Sequence, residues 1–599
     1  LPFEHSRRLT GSNLFFGAPG AVLDVVGVVP DAALIDGWRT RVERGRARLP
    51  NWGQAISPVA RVHADGASLA IPAPLDQLYT ATELNEWALA ATLLERDPAR
   101  WSGLEGAMIH AAAESGAPPP LPPVLAETAA LERLQRLATL EARSDVNALI
   151  DVAAARDLPW LLDDELLTLG AGSGHVDLAL DALPPVSDIR WAELHDVPTA
   201  VVTGSNGKTT TVRLIAACAR AHGWRTGYNC TDGLFLDGTL ITAGDYSGPA
   251  GARSVLRDRR VQAAVLETAR GGILRRGLAV NRAHVAVVTN VSSDHFGEYG
   301  IHDLDALAAV KLVVANLVGP CGLLVVNADD PQLRSRASGT GKPLGWFARD
   351  ADDALLVAHR RRRGATAGVR AGRLVTELHD REVDLGAVDA MPLTIDGSAG
   401  YNVANLAAAA LAALALGIKP TTIAAVFARF GLEPADNPGR LMRFEIGGVR
   451  LLVDYAHNPD GLRGLLAVAR HLRRAGRLAL VLGQAGNRQA RDMELLAQTA
   501  AAARPDLVVI KELEGFLRGR APGEVPAILR GALLACGYAE SALPVRLSEA
   551  DAVRTALAWA REGDLLVLPV HARAARDETV ALIERMRHAG WRAGQALPD

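Results

Sequence analysis

The sequence predicts a multidomain α/β protein: an N-terminal α+β domain, a central parallel-sheet domain around a phosphate-binding loop, and a C-terminal Rossmann-like α/β domain. Three observations predict it. At 599 residues the chain is too long for one hydrophobic core. From residue 196 onward, β-branched apolar runs alternate with segments of helical period, as in a parallel sheet covered on both faces. One of these runs, residues 199–203, breaks into Gly204-Ser-Asn-Gly207 and passes directly into a helical pattern. The expected domains are 1–195, 196–435 and 436–599.

A strand, a glycine loop and a helix start together make an anion site. Backbone N–H groups face inward, the helix dipole adds positive character, and Lys208 adds a point charge. Thr209 or Thr210 offers a hydroxyl for a Mg²⁺ ion held by the same phosphates. Val202 stands where the first glycine of the eight-residue phosphate-loop pattern belongs, so this is a shorter form, Thr-Gly-x-x-Gly-Lys-Thr-Thr. It reads as a nucleotide triphosphate loop.

Composition narrows the partners. Hydrophobic residues at 49% and charged residues at 22% describe an ordinary globular protein. A formal charge of −3 leaves no electrostatic footprint for nucleic acid or an anionic membrane. The four cysteines lie far apart without metal-ligand spacing, which suggests reduced thiols in the cytoplasm. The opening residues lack the basic-then-apolar order of a leader, and the longest apolar run, residues 406–418, suits a buried helix and is too short for a bilayer.

In the N-terminal region, residues 21–29 read as a strand, and alternation returns at 60–71. The proline-rich stretch 118–123 reads as a stiff spacer. Leu131, Leu134, Leu137 and Leu140 recur at helical spacing as a packing face. Residues 170–186 read as a linker, and no catalytic constellation stands out before it.

In the central region, strands are expected at 263–266, 285–289 and 323–326, with their polar ends facing a ligand crevice. Glu267 follows the first of these and suits Mg²⁺ or γ-phosphate orientation. Asp294 and His295 follow the second and suit a further metal position. Lys311, on an apolar helix, is expected to snorkel to solvent. In Asn327-Ala-Asp-Asp-Pro331 the carboxylates suit either helix capping or nucleotide contact. Further on, Asn402 lies near the start of the Ala-rich helix, and strands are expected at 449–453, 478–482, 507–510 and 565–568. This last unit has no phosphate loop of its own, so it is expected to close over the nucleotide of the central domain. The charged segment 511–524, with Arg518 and Arg520, reads as a solvated or substrate-recognising loop.

Five motifs now stand in order: Thr203-Gly-Ser-Asn-Gly-Lys-Thr-Thr, Thr289-Asn-Val-Ser-Ser-Asp-His, Asn327-Ala-Asp-Asp-Pro, Tyr401-Asn-Val-Ala-Asn and Asp454-Tyr-Ala-His-Asn-Pro. Over residues 196–599 the set resembles the Mur ligases, ATP-dependent amide-bond synthetases. Glu267-Thr-Ala-Arg-Gly-Gly-Ile-Leu-Arg-Arg-Gly and Arg518-Gly-Arg-Ala-Pro-Gly-Glu look like the Mur-type half of the cyanophycin synthetase branch, as does Arg7-Arg-Leu-Thr-Gly-Ser-Asn-Leu. In that branch an ATP-grasp domain precedes the Mur part. Here residues 155–170, similar to the opening of that domain, run almost directly into the phosphate loop, so a single ligation is expected instead of a two-reaction polymerisation.

The resemblance implies an acyl-phosphate route from a small-molecule carboxylate and an amino acid or other amine. ATP and Mg²⁺ are the implied cofactors. It implies nucleotide contacts from Gly204, Asn206, Gly207, Lys208, Thr209, Thr210, Asn402, Arg440 and Asp454. Thr209, Glu267 and His295 would hold metal, and Lys311 occupies the place of a lysine carbamylated in many relatives. His457, Asn458, Arg518 and Arg520 would face substrate. Gly486-Asn487-Arg488 departs from the usual Gly-Asp-Arg, which bears on the acceptor side. The additional N-terminal domain is a candidate homo-oligomer contact. A phosphate-loop NTPase, phosphotransferase or regulatory protein that forms no amide is the competing reading.

Overall fold

The computed structural model describes residues 1–114, 120–293 and 296–598. Its largest sheet has eleven strands and surrounds the phosphate-loop strand Thr199–Thr203. That strand lies between the parallel strands Ala263–Glu267 and Ala283–Val288. It is buried on both faces because its side chains alternate between two cores. Ala200 and Val202 pack with Val212, Leu214 and Ile215 of the helix Lys208–Ala221, whereas Val201 joins Val288, Leu307 and Val310 on the opposite face. The helix after Thr199–Thr203 and the helix after Ala283–Val288 thus cover opposite faces. Such a switch point opens a crevice at the carboxyl ends of the strands.

The parallel run continues through Val318–Asn327, Leu344–Asp350 and Ala365–Arg370. Antiparallel strands close both edges: Gly233–Leu236 with Thr239–Ala243 on one side, Arg373–Leu378 with Arg381–Ala387 on the other. These edges carry no strong period in the sequence. The Ala-rich helix Gly400–Ala415 is buried against the sheet, where its small side chains allow close approach.

A six-stranded sheet follows in the order Met442–Ile446, Val449–Asp454, Leu565–Pro569, Leu478–Leu482, Leu507–Lys511, Val545–Arg546, parallel after its first pair. At the N-terminus, Phe3–Leu9, Gly20–Val25, Gly66–Pro72 and Val59–His63 form an antiparallel sheet covered by the helices Ala32–Arg46 and Leu78–Arg96.

Several expectations change. The strand expected over 21–29 ends at Val25, and Val29 is exposed. Leu134 and Leu137 pack inward from Glu127–Glu141, but Leu140 is exposed, because a spacing of three drifts off the face of a 3.6-residue turn. The stretch 170–186 is not merely a linker. Val176–Ala179 pairs with Leu166–Leu169, which pairs with Trp160–Leu162, and Thr168 donates to Asp177 at 2.6 Å. Pro118 and Pro119 of the proline stretch lie outside the described residues. No helix among the described residues is long and apolar enough to cross a membrane.

Candidate functional site

The phosphate loop is shaped by close approaches that only glycine permits. Gly204 has φ +151°, and a Cβ there would sit 1.8 Å from Thr289 Oγ1. Gly207 has φ +82°, and a Cβ there would sit 2.3 Å from Asn405 Oδ1. The loop is braced by the end of the next strand. Thr289 Oγ1 donates to Asn206 O at 2.6 Å, and Asn206 N donates to Asn290 Oδ1 at 2.9 Å. Such bracing holds backbone donors in place before any anion arrives.

Lys208 opens the helix, and its ammonium donates to Gly204 O at 3.0 Å and Ser205 O at 3.2 Å. An ammonium has three protons, so one direction is left for a ligand. Thr209 Oγ1 donates to Glu267 Oε2 at 2.9 Å, and Thr231 Oγ1 to Oε1 at 3.1 Å. Glu267 is fully buried. Burial raises its pKa, opposed by the Lys208 charge and the Thr209 hydrogen bond. A hydroxyl beside a carboxylate, with Asp245 lining the same cleft, is a hard-oxygen donor set of the kind Mg²⁺ takes alongside water and phosphate. His295 and Asp294 lie outside the described residues, among which no group of three or more His, Cys, Asp or Glu side chains gathers around one point.

The facing wall comes from the six-stranded unit. Asp454 Oδ2 accepts from Leu441 N at 2.7 Å, and Oδ1 from Ala456 N at 2.8 Å. One carboxylate thus shapes both the turn carrying Arg440 and the turn carrying His457. Burial raises the Asp454 pKa against the pull of Arg440. The Arg440 guanidinium stacks 4.1 Å over the Tyr455 ring. Asn458 caps the helix Pro459–Leu472 through Gly461 N at 2.8 Å, and its Nδ2 donates to Asn206 Oδ1 at 2.9 Å. That bond ties the two walls together at the phosphate loop.

Between the walls lies a cleft of about 1090 Å³. Lined by the loop residues Gly204 to Thr210, it also touches Glu267, Lys311, Asn402, Arg440, Asp454, His457 and Arg518. Lys311 does not reach bulk solvent as expected. It is buried on Leu304–Leu312 and faces the cleft, because both flanks of that helix are packed. Asn402 Nδ2 donates to Leu393 O at 3.0 Å and its Oδ1 accepts from Asn405 at 3.1 Å, so its amide also braces the helix start. Asn458 and Arg520 are not part of the lining. Arg520 instead donates to Gly486 O at 2.8 Å and Arg488 O at 3.0 Å, holding the neighbouring loop in shape. Of the motif Asn327-Ala-Asp-Asp-Pro, Asp330 caps Pro331–Arg336 and Asp329 pairs with Arg349 at 3.2 Å.

Sequence reasoning missed residues from three distant places. Asn405 sits in a motif already singled out, and its contact with Gly207 needed the fold to show it. His5 and Tyr299 meet at the rim with ring centres 5.3 Å apart, which no periodicity reports. Glu298 pairs with Arg270 and accepts from Asn487 Nδ2 at 3.2 Å. This gives the Asn487 departure a physical reason: an aspartate there would set a second carboxylate against Glu298.

Fold and cleft together define an α/β protein in which a Gly-Lys-Thr loop at a strand-to-helix turn opens on a cleft between two sheet units. Residues 202–413 match the Mur ligase middle domain, and residues 439–569 match the Mur ligase, glutamate ligase domain. A UDP-N-acetylmuramoyl-L-alanyl-D-glutamate–2,6-diaminopimelate ligase of Geobacillus kaustophilus is 31% identical over 387 residues, 61% of this chain and 72% of that protein. Cyanophycin synthetase of Synechocystis sp. is 36% identical over 374 residues, 62% of this chain but 42% of that protein. The chain therefore spans less than half the length of that relative. A solved structure, E. coli FolC in complex with ADP, covers 65% of this chain and 90% of its own at 18% identity with a TM-score of 0.47. The chain belongs to the Mur ligase family.

Proposed function

We propose that the protein is an ATP-dependent ligase that joins a carboxylate to an amine through an acyl phosphate, releasing ADP and phosphate. One observation carries the reading: a braced phosphate loop faces a second unit that presents Arg440, Asp454 and His457 to the same cleft. The match of that second unit to the Mur ligase, glutamate ligase domain favours this reading over a phosphate-loop protein that forms no amide. The ranges 1–195, 196–435 and 436–599 are proposed as its domains.

The chain's own part is positioning and charge neutralisation. Backbone donors of the loop and Lys208 bind the β and γ phosphates, and Arg440 approaches the nucleotide from the facing wall. Thr209 and Glu267 would hold Mg²⁺, which supplies charge neutralisation on the phosphates. The acid is placed to attack the γ-phosphate, the amine then attacks the carbonyl, and phosphate leaves. Lys311 and His457 line the path between them, while Asn458 keeps the walls in register. Closure of the second unit excludes water, which protects an acyl phosphate from hydrolysis.

Phosphate release measured against a matrix of amino acids and dipeptides, with products weighed by mass spectrometry, tests the reading. Lys208→Ala is expected to lower turnover at least 100-fold with the circular dichroism spectrum unchanged, in line with the loss of a transition-state charge contact. Amine-independent phosphate release without any amide product would refute it.

A further inference from the structure

A buried charge network lies outside the cleft and links the two walls. Asp232 stands in the turn between Thr226–Cys230 and Gly233–Leu236. Its Oδ2 accepts from Arg213 Nη2 at 2.7 Å, and its Oδ1 from Arg576 Nη2 at 2.7 Å. Arg213 belongs to the helix Lys208–Ala221, whose first turn is the phosphate site. Arg576 belongs to Arg573–His588 of the six-stranded unit, 344 residues along the chain from Asp232. All three side chains are nine-tenths or more buried.

The same arginines grip the connection between the units. Arg213 Nη1 donates to Asn437 Oδ1 at 3.1 Å and Pro438 O at 2.9 Å, and Asn437 Nδ2 donates to Thr210 Oγ1 at 3.2 Å. Gly439 packs so closely on Arg576 that a Cβ would lie 2.4 Å from Nη1, and its φ is +71°. The next residue is Arg440, which enters the cleft. Burial would raise the Asp232 pKa, yet the charges of Arg440, Arg213 and Arg576 hold it at about 2. Arg440 thus feels this carboxylate directly as well as through the backbone.

We propose that Asp232 is a positioning residue for nucleotide binding: by holding Arg213 on one oxygen and Arg576 on the other, it sets the connection 437–440 and aims Arg440 into the cleft. The proposal rests on the ligase reading for the identity of the ligand. It also gives a carboxylate that touches no substrate a share in holding the two units together, beside the bond from Asn458 to Asn206.

The experiment is a double-mutant cycle on the full chain, read as the equilibrium affinity for a non-hydrolysable ATP analogue with Mg²⁺. Asp232→Asn keeps the shape and removes the charge, and is expected to weaken binding at least tenfold. In an Arg440→Ala background the same change is expected to weaken binding less than twofold, because its route of action is gone. Arg576→Lys, which retains the charge, should keep most of the affinity lost in Arg576→Met, and this pair carries the test if Asp232→Asn does not fold. Equal losses in both backgrounds, or no loss from Asp232→Asn, would overturn the proposal. If the wild-type chain binds no analogue, the ligase reading fails separately. The hold of Asp232 on the connection is then judged by hydrogen exchange of the Gly439, Arg440 and Leu441 amides, where unchanged protection in Asp232→Asn overturns it and a loss of protection supports it.

Discussion

Behind the wall that carries His457, Lys511, Glu549 and His571 form a buried knot whose response to acid follows from its hydrogen bonds. Lys511 Nζ pairs with Glu549 and lies 3.1 Å from His571 Nδ1. His571 Nε2 lies 3.2 Å from Ala456 O, and Glu549 accepts from His571 N at 2.9 Å. An ammonium can only donate, so Nδ1 accepts and Nε2–H donates, which makes the imidazole neutral. Protonation would aim a second N–H at the ammonium. Burial first, and the Lys511 charge second, lower the His571 pKa from 6.5 to about 4. Because the folded value lies below the unfolded one, the unfolded chain binds the extra proton, and stability is lost as pH falls from 6.5 toward 4. At 1.36 kcal/mol per pH unit, going from pH 7.5 to 4.5 removes about 2 to 3 kcal/mol. The Glu549 carboxyl, held low against burial chiefly by Lys511, adds its loss mainly below 4.5 and contributes only about twofold at the lower edge of that window. Hydrogen exchange of the amides in Leu507–Lys511 and Leu565–Pro569, corrected for the intrinsic pH dependence, reads the local opening free energy. Wild type is expected to lose roughly 70-fold in protection across the window, by the same conversion. His571→Gln should lose less than about fourfold, since nothing in its place titrates there. A flat wild-type profile, or the same slope in the variant, would refute the reasoning.

Three further outcomes are expected. Gly207→Ala forces a Cβ toward Asn405 Oδ1 at a left-handed φ and should cost about 1 to 2 kcal/mol in thermal unfolding, with nucleotide affinity down at least tenfold. Glu267→Gln removes the buried carboxylate beside Thr209, so the Mg²⁺ concentration for half-maximal phosphate release should rise roughly tenfold. Asn487→Asp sets a carboxylate against Glu298, so turnover should fall about tenfold, and a Glu298→Gln change in the same chain should restore it, because the added charge is then relieved.

Much of this was legible beforehand where local chemistry repeats. The strands at 263–266, 449–453 and 478–482 were visible because buried parallel strands are unbroken apolar runs, and the phosphate loop because its glycines, lysine and threonines are contiguous. The antiparallel edges and the small sheet over 160–179 were not legible. Edge strands are half-exposed and mix polar with apolar residues, so their pattern resembles that of a loop. Asp232 was invisible for another reason: in sequence it is one aspartate in a turn, and its partners are an arginine on a helix and another 344 residues away.

From the amino-acid order alone came the glycine loop between strand and helix, the alternation of strand and helix around it and the family the chain belongs to, because each depends on residues close together in the chain. Which groups share the cleft was decided by tertiary structure. Lys311 turned inward, Arg520 left the lining to hold a loop, and Asn487 found Glu298, because burial and charge pairing act between neighbours in space that the chain keeps hundreds of positions apart.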